Sequence, residues 1–520
     1  MAYPPGDISI CTGQSFKTPV VFGAEIVSMT SSVVSNFSAT VPEQINYNHP
    51  TISVDNVTFC NITVTLTHPG FNDKVITEAW LPIGTWNGRL QGRGGSGFTA
   101  GREVISTYGM QGAIGQGYAT MATDAGLGSD AYDPSSWALT STGNVNLIAL
   151  DNLNARSLYD EAIIVKSLIQ DFYGRAPEKS YWSGCSQGGR QGLILAQRYP
   201  TLYDGIVASA PSNHWNQVLS SIYWPQLFMN LAGEYPHGCE VDEITNIAVA
   251  ECDPLDGVTD GLISDIDSCN FDPFSTVGRS FYCYDTGSIR QISDLAARVA
   301  NASWSGMASS TGKKLWYGVN RGTILSGNGT GTSATDCSTG TCVGSPSQLA
   351  VYWIQQFLAK DRSVDISKLT HEQFDRLFES GYHLYESLLA ASDPDLSAFH
   401  NAGGKLLAFH GLADALIPSG GSRDYYNAVT ALDNKVSDFY RLFEVPGLGH
   451  CSGGTGGQPT AIFDAMRAWV ENGTAPDTLP IQFIGGDGET NNRILCPYPA
   501  KARYRGTGPT TSADSYHCSM

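Results

Sequence analysis

Ser180-Tyr181-Trp182-Ser183-Gly184-Cys185-Ser186-Gln187-Gly188-Gly189-Arg190 is the stretch on which the fold turns. A short apolar run leads into Gly-x-Ser-x-Gly, and a helical pattern follows in Arg190, Leu193, Ile194, Leu195, Ala196 and Arg198. Strand, tight turn with a central serine, then helix is the context that makes this pattern a nucleophile elbow. The glycines two before and two after Ser186 let the backbone turn where a Cβ would clash. Working outward, Gly117–Asp124 reads as a strand and Asn154–Tyr173 carries helical periodicity in Ala155, Leu158, Ala162, Val165, Leu168 and Ile169. Asp204–Ala210 is another short strand. Strands alternating with helices predict an α/β class chain built on a parallel sheet covered on both faces.

The pattern changes near Pro211. From about Ser212 to Ser397 the chain reads as mostly helical, with a Gly/Ser/Thr-rich loop over Ser326–Ser347. Helix candidates here are Gln348–Lys360 and the segment opening at Thr370, where Gln373 completes a capping box. The α/β pattern resumes at Gly404–His410, continues in a strand over Asp438–Val445 and ends in a helix over Thr460–Asn472. The expected organisation is a core over 1–211, a lid insertion over 212–397, and the second part of the core over 398–520. A long insertion costs little because loop-closure entropy grows slowly with length.

At 520 residues the chain is long enough for one large core plus an insertion. Its formal charge of −19 and the lack of a basic stripe exclude a nucleic-acid partner. No apolar run approaches the ~20 residues a membrane helix needs. The 12 cysteines are even in number, spread out and without a C-x-x-C pair, which suits disulfides formed in an oxidising compartment. Sequons at Asn36, Asn56, Asn61, Asn301, Asn328 and Asn472 point the same way, to secretion. Met1-Ala2-Tyr3-Pro4-Pro5-Gly6 is polar and turn-like, so a secreted chain implies a signal segment already removed.

A serine nucleophile needs a base, and the base needs an orienting carboxylate. The base candidate is His450, on the loop Pro446-Gly447-Leu448-Gly449 after a strand; the acid candidate is Asp414, in His410-Gly411-Leu412-Ala413-Asp414. Asp393 and Asp395 precede their strand instead of following it, and His410 reads as a packed core histidine. The chain order Ser, Asp, His is that of an α/β-hydrolase core, and all three positions follow strands, where an open α/β sheet places its site. Cys185 and Cys451 flank the candidate serine and histidine; a bond between them would hold the two loops together, and this reading outweighs Cys185 as a nucleophile. An oxyanion hole needs two donors. Gln187 N–H is one by geometry, and the glycine-rich turn over Gly92–Gly97 makes Gly95 or Ser96 the expected second.

Cys252-Asp253-Pro254-Leu255-Asp256-Gly257-Val258-Thr259-Asp260-Gly261-Leu262 interleaves carboxylates with glycines, a composition that suits a hard cation bound by oxygen, such as calcium. It is not an EF-hand; the competing reading is an acidic, turn-rich loop. A Cys252–Cys269 bond would close it and suggests a structural ion, with no organic cofactor implied.

With these motifs on the page, the chain resembles the fungal tannase and feruloyl esterase family. The resemblance rests on Gly184-Cys185-Ser186-Gln187-Gly188-Gly189-Arg190, on Asp253 through Gly261, on His410-Gly411 through Asp414, and on Gly449-His450-Cys451. It implies an α/β-hydrolase domain with a lid, a Ser186–His450–Asp414 triad and a Cys185–Cys451 disulfide. It also implies a structural calcium ion on Asp253, Asp256 and Asp260, with main-chain oxygens of Val258 and Leu262. Cys11–Cys60 and Cys496–Cys518 bridges are implied too, while the pairing of Cys239, Cys283, Cys337 and Cys342 stays open. Tannases tend to carry acidic residues in place of Gln187 and Gln191, so the glutamines look more like the feruloyl esterase branch. The expected function is a secreted serine carboxylesterase acting on hydroxycinnamoyl (ferulate, p-coumarate, caffeate) esters of plant cell-wall polysaccharides. The alternatives are a tannase acting on gallate esters, a peptidase, or a non-catalytic sugar-binding glycoprotein on a hydrolase scaffold. Trp215, Tyr223, Trp224 and Phe228 are the aromatic candidates for the lid's share of an acyl slot.

Overall fold

The computed structural model describes residues 8–12, 15–327 and 331–520. The Met1–Gly6 reading and the Asn328 sequon lie outside the described residues.

The apolar runs assemble into one nine-stranded sheet. Its strands are β1 (Glu25–Val41), β2 (Ile52–Thr67), β3 (Val75–Pro82), β4 (Arg89–Arg93), β5 (Ala119–Thr123), β6 (Lys179–Cys185), β7 (Gly205–Ser209), β8 (Lys405–Gly411) and β9 (Tyr440–Val445). The spatial order is β1-β2-β3-β5-β4-β6-β7-β8-β9. From β5 to β9 neighbouring strands run parallel, and these are the strands separated by helices. β1, β2 and β3 pair antiparallel, and β3 meets β5 antiparallel. The sheet is therefore mixed, where alternation alone predicts a parallel one. The difference lies in the short connections of residues 25–82, which allow hairpin returns but no crossover helix. β6 and β7 are buried along almost their whole length, as expected for strands covered on both faces.

Helices Ser157–Tyr173 and Gln187–Arg198 pack Leu158, Ile164, Val165, Leu168, Leu193 and Leu195 against the sheet. Fully burying each such side chain contributes about 1.5–3 kcal/mol. Helix Ile462–Asn472 covers the opposite face through Ile462, Phe463, Met466 and Trp469.

Between Ser209 and Lys405 no described residue joins the main sheet. This stretch holds helices Trp215–Ala232, Gly238–Cys252, Asp294–Ser305 and His371–Leu389 and two small ribbons. The capping box at Thr370 is formed in both directions. After the helix Ile462–Asn472 the chain makes two further ribbons, Leu479–Ile484 with Thr490–Leu495 and Lys501–Tyr504 with Tyr516–Ser519. They are tied to the acidic loop by Arg493–Asp260 at 2.8 Å and by Lys501 and Arg503 on Asp265 at 2.6 and 2.9 Å.

All 12 cysteines pair: Cys11–Cys60, Cys185–Cys451, Cys239–Cys283, Cys252–Cys269, Cys337–Cys342 and Cys496–Cys518. The two pairings that sequence left open are local to the insertion. No helix among the described residues is long and apolar enough to cross a membrane. Asn36, Asn56, Asn301 and Asn472 are exposed; Asn61 is half-buried in the sheet with its Oδ1 covered.

Candidate active site

β6 ends at Cys185, and the chain turns so sharply that Ser186 sits at φ 62°, ψ −121° before the helix Gln187–Arg198 begins. The turn is possible because the backbone closes on itself. A Cβ on Gly184 would stand 2.3 Å from Gly188 O, and one on Gly189 would stand 2.3 Å from Ser209 O. Ser186 N–H donates to Ser209 O at 3.0 Å and Ser186 O accepts from Arg190 N–H at 2.9 Å, so both main-chain groups are fixed. A non-glycine residue held in this region costs about 1–3 kcal/mol, sustained by the surrounding structure.

Asp414 follows β8 and is buried at 2 % exposure. His450 Nδ1 donates to Asp414 Oδ2 at 2.8 Å, which leaves Nε2 as the acceptor. Asp414 Oδ1 accepts from Leu416 N–H and Ile417 N–H, both at 2.9 Å. His410 is the packed histidine that sequence suggests, but it also has a role that sequence missed. Its Nε2 lies 3.3 Å from Asp414 Oδ2 and 2.9 Å from Ile417 O, while Nδ1 meets Ser422 Oγ at 2.8 Å. Burial alone would raise the Asp414 pKa, but His450 and His410 outweigh it and hold the carboxyl well below the usual range. Asp393 and Asp395 only cap turns, accepting from Asp395 N–H and Ser397 N–H.

Cys185 and Cys451 are bonded at 2.03 Å with Cα atoms 6.0 Å apart, across 266 residues of chain. The bridge is buried against Ala210 and Tyr47. It joins the residue before Ser186 to the residue after His450. Ser186 and His450 border one cavity of about 30 Å³. Ser186 Oγ makes no hydrogen bond among the described residues, and nucleophile–base contacts are commonly loose before substrate tightens them.

The same cavity is walled by Phe98, Trp215, Val218, Leu219, Leu349 and Leu416. Of the four aromatic candidates only Trp215 reaches it. Tyr223 and Trp224 are spent on Ile366 O and Ala302 O, and Phe228 packs beside Met229. A larger cleft of about 500 Å³ touches the other side of the histidine loop, bordered by Leu412, Ala415, His450, Ser452 and the insertion residues Thr245 and Ile263.

The glycine-rich turn corrects the oxyanion expectation. Gly95 N–H is already donated to Gln191 Oε1 at 2.9 Å, and Gln191 is held in turn on Ala100 O. Ser96 N–H is turned to Thr99 Oγ1 at 3.3 Å. Neither expected donor is aimed at Ser186. Gln187 opens the helix and borders the Ser186 cavity.

In the acidic loop, Asp253 accepts from Asp260 N–H and Gly261 N–H, and Asp256 from Val258 N–H. Asp256, Val258, Asp260 and Leu262 line a cavity of about 60 Å³. Burial, then the like charges of Asp260 and Asp253, push the Asp256 carboxyl up to about 6. The Asp256 and Asp260 carboxylates on this cavity are the donor type a hard cation takes; Arg493 and Lys501 line it too, and Asp253 does not.

The family model described as tannase and feruloyl esterase matches residues 60–519. A protein described as a probable feruloyl esterase, from Arthroderma benhamiae, is 37% identical over 512 residues, covering 97% of this chain and 93% of the relative. Among solved structures, tannin acyl hydrolase from Aspergillus niger superposes with a TM-score of 0.87 at 26% identity, covering 99% of this chain and 95% of the other. Feruloyl esterase B from Aspergillus oryzae gives 0.77 at 25% identity, covering 96% and 97%.

Proposed function

We propose, from the premise that this chain belongs to the tannase and feruloyl esterase family and is a carboxylic ester hydrolase, that it cleaves hydroxycinnamoyl esters through an acyl-enzyme on Ser186. In this reading His450 Nε2 takes the Ser186 proton as Oγ attacks the ester carbonyl, then returns it to the leaving alkoxide. Asp414 fixes the tautomer and stabilises the imidazolium. Water, activated by the same histidine, then frees the acid. The ferulate, p-coumarate and caffeate esters of plant cell-wall polysaccharides are the proposed natural substrates, met outside the cell by a secreted, glycosylated chain.

The observation that carries the acyl preference is the apolar lining beside Ser186, from Phe98, Trp215, Val218, Leu219, Leu349 and Leu416. A gallate ring brings three hydroxyls that would be buried there without partners, each at a cost of about 1–3 kcal/mol. A ferulate ring brings one hydroxyl and one methoxy. At about 30 Å³ the slot must widen to admit any aromatic ring, and Trp215, Val218, Leu219 and Leu349 form much of its wall. The alcohol is assigned to the larger cleft, which borders His450, the group that must protonate it. A panel of methyl ferulate, caffeate, sinapate and gallate tests this: kcat/KM for ferulate should exceed that for gallate at least about tenfold. The tannase reading draws on the closer superposition with tannin acyl hydrolase, and a reversed ratio would establish it instead.

Calcium is proposed on Asp253, Asp256 and Asp260 with the Val258 and Leu262 carbonyls, where it would neutralise crowded carboxylates and stiffen the loop closed by Cys252–Cys269. Chelation with EDTA should lower Tm by a few degrees, restored by added calcium, with little loss of initial rate. Loss of activity at unchanged Tm would contradict a structural role.

A further inference from the structure

The two loop donors expected at the oxyanion are spent on Gln191 and Thr99, whereas a buried donor elsewhere in the site has nothing to bind. Gln187 is 1 % exposed, borders the cavity shared by Ser186 and His450, and its Nε2 has no hydrogen-bond partner among the described residues. The orientation of this carboxamide is dictated by its neighbour. Arg190 Nε donates to Gln187 Oε1 at 2.7 Å, and a guanidinium has only donors, so it must face the amide oxygen and not the nitrogen. Arg190 is itself fully buried, and its two terminal nitrogens donate to Asn154 Oδ1, Leu389 O and Leu153 O. No carboxylate pairs with it among the described residues. The guanidinium also lies over the Trp215 ring, 5.0 Å from its centroid, and a buried cation on Oε1 draws electron density from the amide and makes Nε2–H a stronger hydrogen-bond donor.

We propose that the Gln187 carboxamide is a side-chain oxyanion donor: Nε2–H binds the carbonyl oxygen of the ester as negative charge builds on it, beside the Gln187 main-chain N–H. This deepens the esterase reading and rests on it. Arg190 is then a positioning residue, acting through Gln187 alone. An acidic residue at 187 would pair with Arg190 and leave no side-chain donor, so the glutamine makes a chemical difference at the reacting ester.

The test uses Gln187→Met, which keeps the volume without the donor, and Gln187→Glu, which keeps the shape and gives Arg190 a carboxylate. Both should lower kcat about 100-fold or more, the effect of losing one oxyanion donor, with KM little changed. The loss should be equal for methyl ferulate and methyl cinnamate, because the ester is common to both. Tm of the Glu variant should hold or rise, which separates lost chemistry from lost fold. Either variant retaining kcat within twofold would overturn the proposal and leave Gly97, which borders the same cavity, as the source of the second donor. A loss confined to ferulate would also overturn it, placing the contact on the ring. Labelling of Ser186 by an organophosphonate in the wild-type protein reports on the esterase reading independently: if wild type neither labels nor turns over, that reading fails and the Gln187 assignment falls with it, whereas a wild type that labels and turns over beside variants that keep kcat overturns the Gln187 assignment alone.

Discussion

Ser186→Ala is expected to lower kcat for methyl ferulate by about 10⁶-fold, the scale seen when a triad serine is removed. The fold should not register the change. Ser186 Oγ makes no hydrogen bond among the described residues, and the backbone at φ 62° is held by main-chain bonds to Ser209 and Arg190 that alanine keeps. Stability should stay within about 0.5 kcal/mol of wild type. The variant therefore isolates the attacking oxygen from its scaffold. Turnover assays alongside thermal melts check it, and hydrolysis within tenfold of wild type would remove Ser186 from the mechanism.

For Asp414→Asn the expected loss is about 10⁴-fold in kcat, because an amide cannot do what the carboxylate does for His450. Oδ2 accepts from both His450 Nδ1 and His410 Nε2, while Oδ1 accepts from two main-chain N–H groups. If the new NH₂ takes the Oδ2 position, it forces His450 Nδ1 to accept, and the ring proton moves to Nε2, where Ser186 needs an acceptor. If the amide flips, the NH₂ meets Leu416 N–H and Ile417 N–H. Either way a donor faces donors, so a stability cost of about 1–3 kcal/mol accompanies the lost rate. Activity within tenfold of wild type would show that another group orients His450.

What could be read from sequence follows the range of the interactions involved. The elbow was legible because strand, glycine turn and helix are consecutive, so periodicity and Cβ clashes act within about a dozen residues. Asp414 and His450 were legible because each follows a strand on a loop of distinctive composition. The roles of Gly95 and Ser96 were not legible. Gly95 N–H is taken by Gln191, 96 residues away, and nothing local to the glycine turn signals that capture. His410 was read as packing, which it is, but its second bond to Asp414 arises only once β8 and the following loop close on each other.

The sequence by itself determined the class of fold, the sharp serine turn and the expected tether of Cys185 to Cys451, since the first two are written in local pattern and the third in cysteines that directly flank the candidate serine and histidine. Tertiary structure alone decided the antiparallel edge of the sheet, the walls beside Ser186 and the hydrogen bonds still open to a substrate. The reason is that a buried donor finds its acceptor among groups brought near by packing, and those neighbours are set by how layers stack, not by spacing along the chain.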